Sequence, residues 1–280
     1  MIENLAKLIL GKKTKKDANS TYKVSEEDFA PYVCHFDKNT ILTKNGELLQ
    51  IIRVTGLENH ESALEISSLR ESVRKSIAEN IKETKFALWF STVRRKKNIN
   101  PAGEYEDLFS QKLSESWVKK NNLQDQYVNE LYITIIIEGV DTSVGNFSGF
   151  TRSLSYGATT SLHSKALQNH HESLIKATNA ILADIEGYGA KILGMIEWKG
   201  VLYSEPMRFF GKIMNLHEER YPVAMNDISS DLTSHTVAFG DRELEVVGRG
   251  NKNYATIFSL KEYKEITTAS LDHILQLPFE

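Results

Sequence analysis

Several groups of residues in this sequence could do chemistry, and each lacks a part that the chemistry needs. Gly11-Lys12-Lys13-Thr14 has the Gly-Lys pair and the hydroxyl of a phosphate-binding loop. Such a loop also needs an upstream glycine at fixed spacing and a preceding strand, so that successive backbone N–H groups surround the phosphates. Neither is present, and G-x-x-x-x-G-K-[ST] occurs nowhere in the sequence. His163, His170, His171 and Glu172 form the densest group of metal-ligand types. A zinc-binding helix of the H-E-x-x-H kind sets its histidines one turn apart. Here His163 and His170 are two turns apart and His171 points elsewhere. His217-Glu218-Glu219 lacks a second histidine, so both groups read as surface or internally satisfied residues and no metal site is expected. Cys34 and His35 offer a thiol and an imidazole, but neighbours in an extended segment point to opposite faces and cannot easily share a proton. In Gly145-Asn146-Phe147-Ser148-Gly149 the serine sits one place too late for a nucleophile elbow.

One charged group is better suited to binding than to catalysis. Arg94, Arg95, Lys96 and Lys97 are consecutive. A nucleic-acid interface would interleave aromatic rings with such cations. Trp89 and Phe90, the nearby rings, lie in an apolar run expected to face the core. The four cations therefore read as a charged interface for an acidic protein neighbour, with nucleic acid the lesser alternative. A second binding feature is the N-terminus. Ile2, Leu5, Leu8 and Ile9 recur at helical spacing, and Lys12, Lys13, Lys15 and Lys16 follow. That pattern suits docking onto a membrane surface or a membrane-embedded partner, the alternative being an ordinary frayed terminus.

The elements that must position these residues follow from patterning. With 280 residues, 41% hydrophobic and 25% charged, the chain can bury a sizeable core. A net charge of -3 argues against a global nucleic-acid-binding field. The single cysteine, Cys34, excludes an intramolecular disulfide and fits a reducing compartment. No apolar run approaches the ~20 residues that a membrane-spanning helix requires. Asn45-Gly46 lies between Thr40–Lys44 and Leu48–Val54 and predicts a tight hairpin with positive φ at both central positions. Ile66, Leu69, Val73 and Ile77 predict a helix, and Phe86–Val93 a strand buried on both faces. Tyr105, Leu108, Phe109, Leu113 and Trp117 predict an amphipathic helix, and Leu131–Ile137 a second buried strand. A polar stretch from Asp141 to Ser161 separates a second half. There a long helix runs from Leu162 to Ile185, a strand over Ile192–Ile196 and a helix from Pro206 to Met214. The end alternates apolar and polar over Thr236–Phe239, Glu243–Val247 and Tyr254–Phe258, then turns helical around Leu271, Ile274 and Leu275.

The order and spacing of three stretches resemble the region before the ATPase domain in the conjugal-transfer ATPases of type IV secretion systems, the CagE/TrbE/VirB family. The first runs from Pro31 to Leu57, with Phe36-Asp37, Thr40–Thr43, Lys44-Asn45-Gly46 and Gly56. The second is Phe86–Arg95. The third is the closing segment with Tyr254-Ala255-Thr256-Ile257 and Leu271–Phe279. The resemblance implies an α/β (α+β) fold of mixed sheets covered by helices, without the phosphate-loop ATPase core. The expected organisation is an N-terminal helix and linker over 1–24, one lobe over 25–140, a connection over 141–157 and a second lobe over 158–280, ending at the boundary to an ATPase domain. The implied function is non-catalytic: assembly and docking of the motor on the cytoplasmic side of the inner-membrane channel. ATP and magnesium would belong to the ATPase domain, and no cofactor is expected here. Implied partners are that domain, other secretion components including a small inner-membrane protein, and further copies of the protein. Two other classes stay open: a nucleic-acid-binding module of a conjugation system, and an independent enzyme with a dispersed site.

Overall fold

The computed structural model describes residues 29–56, 63–81, 85–96, 105, 107–122, 127–139, 161–223, 227–248 and 250–258. The N-terminal stripe Ile2 to Ile9, Lys12 to Lys16, Lys97, the Gly145–Gly149 stretch and the Leu271–Leu275 helix lie outside them.

The mixed helix and strand architecture expected from the sequence is present. A six-stranded antiparallel sheet forms the centre. Its strands are β1 (Tyr32–His35), β2 (Ile41–Thr43), β3 (Leu48–Val54), β4 (Phe86–Lys96), β5 (Tyr127–Ile137) and β6 (Ala190–Ile192). They run in the order β1-β2-β3-β5-β4, and β6 pairs with the far end of β3 through Ile52, Arg53 and Val54. The sheet thus takes strands from both halves of the chain. β3 has neighbours on both edges, and its Leu48–Ile52 run is buried throughout. Apolar residues in succession suit a strand covered on both faces.

Each face has its own core. Leu42, Leu48, Ile52, Ile133, Ile135 and Ile137 pack beneath Leu167, Leu174, Ile181 and Ile185 of the long helix α3 (Ser161–Ile185), beside α1 (Ala63–Asn80). Ile41, Leu49, Ile51 and Tyr132 pack on the opposite face against Met207, Phe209 and Phe210 of α4 (Glu205–Met214) and Ile228 and Leu232 of α5 (Ile228–Leu232). Each such side chain contributes roughly 1.5–3 kcal/mol when fully buried. The start of α4 follows from local chemistry. Ser204 caps it by accepting the Met207 N–H at 3.0 Å, and Pro206 occupies the first turn, where its missing donor costs nothing.

Four expectations need correction. The hairpin at Asn45-Gly46 forms, but only Gly46 has positive φ, at 78°. The Gly46 N–H bonds to the Thr43 carbonyl at 3.0 Å and the Thr43 N–H to the Glu47 carbonyl at 2.9 Å. This is the three-residue loop with glycine in the left-handed position, not the two-residue turn. The strand expected over Ile192–Ile196 is two strands. The Leu193 N–H bonds to Ile51 and the Met195 N–H to Lys38, so the chain changes partners at Gly194 and starts β7 (Met195–Trp198) in a small sheet with β8 (Val201–Ser204) and β9 (Tyr221–Pro222). Trp89, 64% exposed, and Phe90 point to opposite faces of the edge strand β4, and both are exposed to solvent rather than buried in the core. Helix α2 (Leu108–Asn122) forms, but Phe109, Leu113 and Trp117 point outward, while Ser110, Ser114 and Val118 make its half-buried side.

The closing alternation forms a separate antiparallel sheet of β10 (Thr236–Phe239), β11 (Leu244–Val247) and β12 (Lys252–Ala255). No helix among the described residues is long and apolar enough to cross a membrane.

Candidate functional site

The densest chemistry lies where α4 crosses the open end of the central sheet. Glu130 and Tyr132 alternate on β5 and therefore share its α4-facing side. Arg53 stands opposite Tyr132 on β3, and Arg95 reaches the same side from β4. Arg208 and Lys212 are one turn apart on α4, and Glu218 follows that helix. With Leu193, Glu205 and Phe209 these residues line a cleft open to solvent.

Glu130 is the hub, its side chain only 5% exposed. One carboxylate oxygen accepts from Arg95 Nη2 at 2.6 Å and from Arg53 Nη2 at 3.3 Å. The other accepts from Lys212 Nζ and the Tyr132 hydroxyl, both at 2.7 Å. Glu218 accepts from Arg95 Nη1 and Arg208 Nη2, with Lys212 3.6 Å away. Burial alone would raise the Glu130 carboxyl. The bonds from Lys212 and Tyr132 and the charges of Lys212 and Arg95 outweigh it and hold the group at about 2. Glu218 is likewise held down against burial by Lys212 and Arg208. Burial, and then the Glu130 carboxylate, push the Tyr132 hydroxyl up, so it stays protonated. In this cluster Glu130 and Glu218 are shifted down and Tyr132 up, each away from the neutral range in which a general acid or base works best. The cluster is built to hold charge.

The residues singled out from sequence are placed differently. Arg95 is engaged inside the chain by two acidic neighbours, Glu130 and Glu218. Arg94 stacks over Tyr127 at 4.6 Å and donates to Asn129. Lys96 closes β4 at its exposed end. His171 bonds to Asp37 at 2.5 Å and lies 3.3 Å from Thr40, while His170 reaches the Glu138 carbonyl. His217 pairs with Glu219 at 3.8 Å. Among the described residues no three His, Cys, Asp or Glu side chains are grouped to hold a metal. His35 Nε2 is 2.8 Å from Ser204 Oγ, away from Cys34. Ser204 is buried and occupied as the α4 cap, and burial raises the Cys34 thiol. Sequence reasoning missed Arg53, Glu130, Arg208 and Lys212. The available signal was a charged residue interrupting an apolar strand, and two cations four residues apart on a helix that is apolar beyond its first turn.

The family model for the N-terminal domain of the type IV secretion system ATPase VirB4/TrbE matches residues 39–143. A second, for the CagE, TrbE, VirB family, component of type IV transporter system, matches residues 191–280. The chain belongs to this family. The two matches fall on either side of the charged cluster: Arg53, Arg95, Glu130 and Tyr132 lie in the first, Arg208, Lys212 and Glu218 in the second. Relatives agree. Type IV secretion system protein virB4 of Bartonella henselae is 25% identical over 91% of this chain and 32% of its own length. Protein virB4 of Agrobacterium tumefaciens is 21% identical over 94% of this chain and 33% of its own. PtlC of Bordetella pertussis is 21% identical over 84% of this chain and 28% of its own. The chain thus spans about a third of the length of these relatives.

Proposed function

We propose that the chain is a non-catalytic domain of a type IV secretion ATPase that assembles and docks the motor at the cytoplasmic side of the inner-membrane channel. The observation that carries this reading is the uncovered helix α2. Its apolar stripe, Phe109, Leu113 and Trp117, is open to solvent, with Phe109 75% exposed, and none of its described side chains is buried. A helix normally buries its apolar stripe. Exposed aromatic and leucine side chains on a soluble surface mark contact sites. Trp89 and Phe90 add exposed aromatic surface on β4. The charged cluster, by contrast, is engaged largely with itself and presents no reactive group. The N-terminal stripe Ile2, Leu5, Leu8, Ile9 with Lys12, Lys13, Lys15 and Lys16 is a second docking element in this proposal. The partners are the ATPase domain, other secretion components including a small inner-membrane protein, and further copies of the protein.

The test uses a protein in which this chain precedes its ATPase domain. Phe109→Ser, Leu113→Ser and Trp117→Ser together should leave the thermal midpoint unchanged and reduce recovery in membrane-bound secretion complexes. Removal of residues 1–16 should act in the same direction. A large loss of thermal stability would place the α2 stripe in a core, and undiminished recovery would remove the docking role. The nucleic-acid alternative relied on four neighbouring cations, of which Arg95 is committed to Glu130 and Glu218.

A further inference from the structure

The cleft between α4 and the sheet holds more positive charge than its carboxylates neutralise. Of the three carboxylates lining it, Glu205 is taken by Lys191 at 2.7 Å and by the Gly194 N–H at 3.3 Å. Glu130 and Glu218 remain to face Arg53, Arg95, Arg208 and Lys212. Two positive charges are left over. The Nε–H groups of Arg53 and Arg95 are also shielded from solvent with no acceptor, an uncommon state for a buried donor. Arg208, at the cleft's rim, is 41% exposed and directs one Nη to Glu218.

We propose that this cleft binds a phosphate group. A dianionic phosphate carries the charge that balances the surplus, whereas a single carboxylate would leave half of it. Guanidinium groups present planar pairs of donors matched to phosphate oxygens, and Lys212 adds a point charge. The cleft is open on one side, so a phosphate can reach it while the molecule that carries it stays in solvent. The site shares nothing with a phosphate-binding loop: its donors are side chains on two strands and one helix, and it implies no preference for a nucleotide base. It stands on charge and geometry alone and does not depend on the docking role.

Inorganic phosphate is the probe, titrated calorimetrically into the chain at constant ionic strength, with acetate and chloride as comparisons. One saturable site is expected, with phosphate binding at least about tenfold more tightly than acetate, as charge-assisted hydrogen bonds of this kind provide. Arg208→Gln should weaken phosphate by at least about tenfold, the same class of effect, while the protein still unfolds in one cooperative thermal transition in chloride. A second variant guards against misfolding. Lys191→Gln lies on the surface and frees Glu205 to neutralise the cleft, so it should also weaken phosphate although it is bound to Glu205 rather than to the ligand. The proposal is overturned if phosphate gives no saturable heat, if acetate binds as tightly, or if both variants bind as the parent does.

Discussion

Replacing Glu130 by Gln removes one charge and almost no volume, so it isolates what that charge contributes. The parent carboxyl is held at about 2 against an ordinary 4.5. At roughly 1.4 kcal/mol per pH unit, the difference corresponds to roughly 3 kcal/mol of stabilisation at neutral pH. An independent route gives a similar figure. Removing one partner from a buried, hydrogen-bonded ion pair costs about 3–5 kcal/mol, because the cation left behind stays desolvated. That cation is Lys212, only 10% exposed, whose other carboxylate is 3.6 Å away. The expected loss is therefore about 3 kcal/mol, which lowers the thermal midpoint by about 6–12 °C in a chain of this size. The pH dependence has a definite sign. Because folding depresses this acidity, the stabilisation is complete above the unfolded value near 4.5 and is lost as pH falls towards 2. The gap between parent and Glu130→Gln should narrow to roughly 1.4 kcal/mol at pH 3. Denaturant unfolding of both proteins at pH 7 and pH 3 measures it. A gap below about 1 kcal/mol at pH 7, the size of an exposed pair, or a gap that does not shrink on acidification, would refute the assignment of Glu130 as the hub.

Three further outcomes follow from the backbone and the surface. Gly46→Val should cost about 1–3 kcal/mol in unfolding free energy, since a β-branched residue is strained at a φ of 78°; an unchanged melting temperature would contradict the loop geometry. Gly139→Ala should destabilise by about 1–3 kcal/mol, because its new Cβ would sit 2.3 Å from the Asn45 carbonyl oxygen of the hairpin, and neither backbone can give way cheaply. Leu113→Ser alone should change unfolding free energy by less than about 0.5 kcal/mol, as a side chain 59% exposed would; a loss above ~2 kcal/mol, the cost of a buried leucine, would mean α2 packs differently in solution.

The strands and helices were readable because each is set by local pattern. The Leu48–Val54 and Leu131–Ile137 runs, the Pro206 helix and the two closing strands, Thr236–Phe239 and Glu243–Val247, appear within a few residues of their expected bounds. Apart from the length of the loop at Asn45-Gly46, what failed was a question of neighbours. The run Leu88, Trp89, Phe90 looks like a strand with two covers, and only the fold shows that nothing covers Trp89 and Phe90 on this edge strand. Helix α2 has a clear apolar stripe, but periodicity cannot say whether a stripe faces inward. The break at Gly194 arises because Lys38, remote in sequence, offers a carbonyl to the Met195 N–H.

The charged cluster was illegible for a related reason, and its position explains its value to the fold. Glu130 pairs with Lys212 across 82 residues, and Arg95 with Glu218 across 123. No spacing rule connects such residues. Each looks, in its own segment, like a charge at the end of a strand or on the rim of a helix. Brought together they tie β3, β4 and β5 to α4, and so join the two segments that the family matches separately. Apolar packing on the same face, with Tyr132 against Phe209 at 4.3 Å, brings α4 onto the sheet without specifying its azimuth. Four cations sharing two carboxylates do specify it, because rotating α4 by one residue would carry Arg208 and Lys212 about 100° around the helix, away from Glu130 and Glu218. Apolar burial therefore supplies the larger part of the attraction between the two segments, and the ion pairs select one orientation of it.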